Sequence, residues 1–508
     1  MIAKTYSFGL LGLEAYPVEI EIDAANGLPA VTLVGLADTA IKESKERVRS
    51  AIKNSGFQWP SQRITVNLAP SDIKKEGACF DLAIALGILA ATGQINGAAL
   101  KDYYLLGELS LNGELRPVHG VLAISLTLVN LQVKNLLLPE ENSHEAGIIP
   151  EISAWPLRNL KEAVQFLADP GLKQPFKSTL DQITRNNADY PVDFSEVKGQ
   201  YFAKRAIEVA VSGGHNILMI GPPGSGKTML AKRIPTIMPE LTLKEALEVT
   251  RIHSVAGTLL KNELFIGTRP FRSPHHSISD IALIGGGSIP VPGEISLAHQ
   301  GVLFLDELPE FRRDALEALR QPLEDGSIRV SRILKSVVFP ASSVLVAAMN
   351  PCPCGYYTDP KKSCRCNTTK IQDYMSKISG PLLDRIDIHI ELPSIKYKEL
   401  SDSREAELSA TIKARVEKAR AIQRGRLKNE GILYNAQMNT KLVRKYCLLQ
   451  SEAKDLLRLA MTELGFSARA YDKIMKVSRT IADLDNKTAI HAHHISEAIQ
   501  YRSLDKHW

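Results

Sequence analysis

Residues 221–228 read Gly-Pro-Pro-Gly-Ser-Gly-Lys-Thr and stand between the apolar run Asn216-Ile-Leu-Met-Ile220 and a helical run that begins at Met229. Nothing else in the chain narrows its fold as much. The glycines allow a tight backbone wrap, so the stretch requires a strand, a loop and a helix in that order. Such a loop turns its N–H groups and the N-terminus of the following helix toward phosphate oxygens. Lys227 adds a cation for the β and γ phosphates, and Thr228 offers a hydroxyl to Mg²⁺. Gly221, Pro222, Pro223, Gly224, Ser225, Gly226, Lys227 and Thr228 together are therefore the candidate site for ATP.

Two further apolar strands follow in the order that phosphoryl transfer to water needs. Gly301-Val-Leu-Phe-Leu-Asp-Glu307 ends in two carboxylates. Asp306 can hold the Mg²⁺ shell, and Glu307 can orient and polarise the attacking water. Ser343-Val-Leu-Val-Ala-Ala-Met-Asn350 ends in an amide that can read the γ-phosphate or that water. Acidic residues and a lone Asn at strand ends are often only turn punctuation; their sequence after the phosphate loop argues for function.

The rest of the 508 residues organises around this unit. Residues 1–168 alternate strands and helices. Val18, Ile20 and Ile22 alternate with Glu19 and Glu21, and Val31 to Val34 supply another strand. Helices are expected at 39–55 and 80–91, then a hairpin turning at Asn112-Gly113. A Pro-, Asn- and Asp-rich linker occupies 169–193. The α/β unit with the phosphate loop spans 194–393, and 394–508 has helical periodicity. Length predicts about three domains. No apolar run reaches the roughly 18 residues of a membrane span, and no export signal is readable at the N-terminus, so a soluble cytoplasmic protein is expected. The net charge of +6 permits an acidic partner without naming one.

The phosphate loop, the acidic strand and the strand ending at Asn350 together resemble the AAA+ ATPases. Pro274-His275-His276 and the Gly-rich stretch through Gly293-Glu-Ile-Ser-Leu-Ala298 resemble the helix-2 insert of the magnesium-chelatase-like clade. Ser379-Gly-Pro-Leu-Leu-Asp-Arg385 is similar to its arginine-finger segment, and Gly465-Phe-Ser-Ala-Arg469 to its second sensor. With Asn350-Pro-Cys-Pro-Cys-Gly355, the set resembles the YifB/ComM family of magnesium-chelatase-like ATPases. The resemblance implies an AAA+ parallel-sheet core, a C-terminal helical lid and a homo-hexameric ring. Arg385 would reach a neighbour's γ-phosphate, and Arg469 would sense nucleotide. A structural arginine paired with Asp384 or Asp387 is the plainer alternative. For function it implies a helicase on single-stranded or branched DNA, promoting branch migration during natural transformation alongside recombination proteins.

Residues 60–140 resemble the Lon-protease domain, through Asn67-Leu-Ala-Pro-Ser-Asp-Ile-Lys-Lys-Glu-Gly77 and Gly107-Glu-Leu-Ser-Leu-Asn-Gly-Glu-Leu115-Arg-Pro-Val118. That family's serine would fall at Cys79 and its lysine near Leu122. A leucine cannot activate a nucleophile, so the dyad is absent. Cys79, with His119 or Lys75 as conceivable activators, is expected to be an inert, buried thiol.

Four of the six cysteines, Cys352, Cys354, Cys364 and Cys366, form two C-x-C pairs. They suit a tetrahedral zinc site, with a set of reduced thiols as the alternative. His275-His276 and His491, His493 and His494 match no common ligand spacing. Cations gather in three places that suit phosphate contact: a hairpin bearing Arg329, Arg332 and Lys335, the cysteine loop with Lys361, Lys362 and Arg365, and a helix at 411–428. That helix could equally be a solvated face. Rival readings are a chelatase-type ATPase that remodels a protein partner and a Lon-like ATP-dependent protease.

Overall fold

The computed structural model describes residues 2–75, 77–177, 190–259, 265–287, 290–331, 336–357, 359, 362–394 and 406–502. The N-terminal region opens with two long antiparallel strands, β1 (Ile2–Leu11) and β2 (Glu14–Ala25). Alternation fixes their facing: Val18, Ile20 and Ile22 are buried, while Glu19 and Glu21 point outward to the Lys4 ammonium. β3 (Ala30–Val34), β4 (Arg63–Ala69), β5 (Tyr104–Leu105), β8 (Asn135–Pro139) and β9 (Ser153–Leu157) complete a seven-stranded sheet in the order β3-β4-β2-β1-β5-β8-β9. The short hairpin of β6 (Glu108–Leu109) and β7 (Leu115–Arg116) turns around Asn112-Gly113. Helices Thr39–Asn54 and Asp81–Ala91 fall where periodicity places them. Every residue of the second is buried, as its nearly unbroken apolar sequence requires. Its one carboxylate, Asp81, is neutralised by Arg47 at 2.9 Å.

The chain stays with this sheet beyond residue 168, because Phe176 donates its N–H to the Ala154 carbonyl at 2.7 Å. Residues 178–189 of the expected linker lie outside the described residues.

The second region is built on β10 (Ile217–Ile220), β11 (Phe271–Arg272), β14 (Val302–Leu305), β17 (Val344–Met349) and β18 (Ile388–Glu391). These form a parallel sheet in the order β11-β14-β17-β10-β18. β10, β14 and β17 are buried throughout, which explains why they read as continuous apolar runs. Two small hairpins decorate this core: β12 (Gly285–Gly286) with β13 (Val291–Pro292), and β15 (Ser327–Ser331) with β16 (Ser336–Pro340). From Ser409 to Gln500 the described residues hold helices and no ladder strand. They share one core with the sheet: Ile412, Val416, Ile474 and Ile481 pack with Val209 and Ile217. The mixed α/β class with a parallel-sheet core and a helical C-terminal region agrees with the sequence reading.

The N-terminal region is docked on the motor sheet at two places. At the β1–β2 turn, Leu13 is buried in the cluster containing Ile328, Val330 and Val337 of the β15–β16 hairpin. Gly12, at φ +60°, lies so close that an added Cβ would meet Val337 Cγ1 at 2.1 Å. The second contact faces the helix Leu243–Val255. The Gly120 N–H donates to the Ser254 carbonyl at 3.3 Å. Glu145 accepts from the Leu122 N–H at 2.8 Å and from the Ser254 hydroxyl. Burial pushes the Glu145 carboxyl above its ordinary range.

Leu13→Ala is expected to remove about 2 kcal/mol of docking energy. Limited proteolysis should then release the N-terminal region faster while nucleotide binding is kept; unchanged release would show that the Leu13 contact does not hold the regions together.

Candidate nucleotide site

The phosphate loop occupies the step between β10 and the helix Lys227–Ile237, at the C-terminal end of the parallel strands, where α/β sheets bind ligands. Gly224 and Gly226 take φ of +78° and +90°, left-handed conformations that other residues adopt only at a cost. An added Cβ at Gly221 would meet the Leu392 carbonyl at 2.5 Å. Gln200, itself at φ +52°, donates from Nε2 to the carbonyls of Ser225 (3.2 Å) and Pro393 (3.1 Å), tying the loop to the chain after β18. Periodicity and composition carry no signal for that role.

Lys227, Thr228, Asp306, Glu307 and Asn350 converge here. The Lys227 ammonium is buried and donates to the carbonyls of Gly221 (2.6 Å) and Pro222 (3.1 Å) and to Asn350 Oδ1 (3.2 Å). Burial lowers its affinity for a proton, while Asp306 and Glu307 pull the other way. An ammonium held by neutral oxygens in this way is poised to exchange them for phosphate oxygens. Thr228 Oγ1 donates to Asp306 Oδ2 at 2.7 Å, so the hydroxyl and carboxylate that suit a Mg²⁺ shell already touch. These oxygen donors fit the ion. Glu307 sits at φ +54° with its side chain more than half exposed. It approaches His276 Nδ1 at 3.3 Å, a neighbour that reading His276 only as part of the Gly-rich insert does not reveal.

Arg385 and Arg469 are elsewhere. Both line a cavity of about 550 Å³ with Asn216, Gly301 and Ser343, the residues that precede or open β10, β14 and β17. They therefore lie at the N-terminal edge of the sheet, opposite the phosphate loop. Arg385 donates to the carbonyls of Arg320 (2.9 Å) and Pro381 (2.7 Å) and pairs with Glu324, rather than with either adjacent aspartate. Asp384 instead takes Arg469 at 2.8 Å. Asp387 binds His215 at 2.9 Å and, although burial opposes ionisation, that partner and Lys473 hold its carboxyl well below the usual range.

The four clustered cysteines come together, their ligand atoms all within 4.8 Å of one another. Arg329 is exposed on β15; Arg332, Lys335 and Lys361 lie outside the described residues. Lys362 and Arg365 are exposed beside the cysteines. The helix Ser409–Leu427 is only in part an open basic face. Arg415 is paired with Glu208 and Glu407, Arg426 with Asp483, and Lys413 with Glu240 at 3.0 Å. Arg420 is buried against the Tyr434 ring, 3.6 Å from its centroid. Lys418, Arg424 and Lys428 stay exposed, while carboxylates elsewhere in the fold take Lys413, Arg415 and Arg426, a division that the composition of the helix alone does not reveal.

Among the described residues of the N-terminal region there is no dyad. Leu122 is buried; Cys79 is half-buried rather than buried, and desolvation pushes its thiol up to about 12. Lys75 is buried and its Nζ has no hydrogen-bond partner among the described residues, Cys79 included. His491 caps the helix Ala492–Gln500, as a surface helix start requires, while His493 and His494 gather at Asp485 at 3.5 and 3.2 Å. No helix among the described residues is long and apolar enough to cross a membrane.

Comparison with known proteins matches this layout. Family models described as magnesium chelatase subunit ChlI match residues 193–400 and 20–142, and its C-terminal model matches 406–502. Competence protein ComM of Haemophilus influenzae is 43% identical over 99% of this chain and 98% of its own length. The YifB protein of Escherichia coli is 43% identical over 98% of this chain and 96% of its own. A Lon protease of Brevibacillus choshinensis is 23% identical over 30% of this chain and 21% of its own. On identity of that extent along nearly its whole length, the chain belongs to the YifB/ComM family of magnesium-chelatase-like AAA+ ATPases.

Proposed function

We propose that the chain is an ATP-dependent DNA motor that assembles as a homo-hexameric ring and promotes branch migration of recombination intermediates during natural transformation. One observation carries the ring: the ATP machinery is divided between opposite edges of the motor sheet. Four residues of β10 rise roughly 13 Å, more than an arginine side chain can span. Arg385 and Arg469 are therefore read as serving the phosphate loop of a neighbouring protomer, and the cavity they line as the receiving surface.

Within one protomer, Lys227 and the loop N–H groups hold the triphosphate, Thr228 and Asp306 hold Mg²⁺, and Asn350 contacts the γ-phosphate. Glu307 polarises the attacking water once it leaves His276. Arg385 from the neighbour neutralises charge that develops on the transferred group, so hydrolysis waits on assembly.

DNA as the substrate is supported by the full-length likeness to a protein named for competence and by Arg329, exposed on the β15–β16 hairpin. Lys362 and Arg365 beside the cysteine cluster add cations. Contact is expected with the sugar-phosphate backbone rather than with base edges. Zinc at the four cysteines is part of the same reading, as are recombination proteins as partners and a cytoplasmic location.

The test is strand exchange on a labelled three- or four-strand junction with purified protein, ATP and Mg²⁺, against Lys227→Ala and Glu307→Gln. ATP-dependent branch movement is expected from the parent chain and from neither variant. Casein cleavage without movement would establish the protease instead, and ATP turnover stimulated only by another protein would establish a remodeller.

A second prediction separates the two sheet edges. Arg385→Ala is expected to bind ATP nearly as the parent does while turnover falls by about 10³-fold or more. Mixing it with Lys227→Ala protomers should restore turnover, because about one interface in four then joins an intact loop to an intact arginine. No recovery from a mixture that co-assembles would show that Arg385 acts within its own protomer.

A further inference from the structure

The run Asn350-Pro-Cys-Pro-Cys-Gly355 leaves β17 directly behind the phosphate loop and touches it twice. Asn350 Oδ1 accepts from the Lys227 ammonium at 3.2 Å. Gly355, at φ +83°, packs so tightly on Pro223 that an added Cβ would lie 2.6 Å from the ring Cδ. Between these contacts lie Cys352, which is buried, and Cys354.

The sulfurs are spaced for a metal. Zinc bonds to thiolate at about 2.3 Å, so the edges of a tetrahedral four-sulfur site measure about 3.8 Å. Cys352 lies 3.4 Å from Cys354 and 3.7 Å from Cys364, Cys354 lies 3.6 Å from Cys364, and Cys366 completes the group. None of the four is in a disulfide. Backbone N–H groups point at the sulfurs: those of Arg365 and Tyr356 at Cys354, and that of Cys366 at Cys364 at 3.4 Å. Such hydrogen bonds orient and stabilise thiolate ligands from outside the metal shell. Lys362 and Arg365, exposed around the cluster, lower the cost of four negative sulfurs. Four protonated thiols offer only weak contacts to hold a loop rich in Pro and Gly in this arrangement, whereas a zinc ion supplies the missing attraction.

We propose that Cys352, Cys354, Cys364 and Cys366 bind one zinc ion, and that this ion braces Asn350 and Pro223 against the triphosphate site, so that zinc occupancy sets nucleotide affinity from outside the reacting atoms. The brace rests on the ATP reading given above. Its logic is mechanical. Asn350 and Gly355 are positioned by the same six-residue run, and zinc ties that run to a second, sequence-distant pair. Releasing the metal frees both contacts to the loop together.

The full-length protein carries the test. Elemental analysis of chain purified without chelator should give one zinc per chain, retained in a Cys79→Ser, Cys447→Ser double variant and lost in Cys354→Ser and Cys364→Ser. An organomercurial titration of the double variant should release that zinc, and affinity for a fluorescent ATP analogue should fall at least tenfold, returning when thiol and zinc are restored. Gly355→Ala gives an independent arm that leaves the ligands intact: zinc stays at one per chain while affinity falls by a similar factor. Absence of zinc, or stoichiometric iron in its place, would overturn the site. Zinc released reversibly with unchanged affinity would overturn the brace. Zinc-replete protein with no affinity for the analogue would refute the ATP reading while leaving the metal count standing.

Discussion

A parallel sheet has two chemically different ends, and this molecule is arranged around that polarity. Loops at the C-terminal ends of β10, β14 and β17 carry the phosphate loop, the acidic pair and Asn350. The residues that precede or open the same strands line the cavity holding Arg385 and Arg469. Each strand is buried on both faces and cannot slide without exposing apolar surface, so the two edges keep a fixed separation. Neither edge is a complete catalytic site. On the function proposed above, the transition-state cation reaches the phosphate loop when one protomer presents this edge to another's opposite edge, a head-to-tail contact that makes a ring where its rotation closes.

The N-terminal region follows the same economy by different means. It has the sheet of a Lon-like domain, but the position that would supply the activating lysine is a buried leucine, and the thiol at the nucleophile position is held neutral. What the region does contribute is contact. Leu13 fills the apolar face of the β15–β16 hairpin, and Glu145 with Gly120 binds the end of the helix Leu243–Val255. These elements flank the acidic strand on both sides in sequence. The hairpin therefore contacts both the N-terminal region and, through Ser342 and Ser343, the strand that leads to Asn350.

Much of this was legible in the sequence because the informative residues are local. The strand–loop–helix around Lys227, the carboxylates after β14 and the amide after β17 are each set by a few neighbouring residues. The cysteine pairs were legible for the same reason. Long-range partners were not. Gln200 reaches Ser225 and Pro393 across the fold, and Glu324 holds Arg385 from a position 61 residues away. His276 beside Glu307 depends on where a Gly-rich insert returns to the sheet. Pairings like these depend on topology, and no periodicity or composition encodes them.

Charge shows the same division more sharply. Seven Lys or Arg residues against one Glu at 411–428 look like a surface for phosphates. In the fold, Arg415 and Arg426 are held by Glu208, Glu407 and Asp483, and Arg420 lies against Tyr434 away from solvent. A cation already paired with a carboxylate releases no counterions when a phosphate replaces that partner, so it adds little to nucleic-acid affinity. Exposed charge stays on Arg329 of the hairpin, on Lys362 and Arg365 beside the cysteines, and on Lys418, Arg424 and Lys428 of this helix. β17 runs from the hairpin that precedes it to the phosphate-loop end of the sheet, where the cysteine run leaves it. The hairpin and cysteine-loop contacts proposed for DNA and the proposed hydrolytic site thus share one strand, β17.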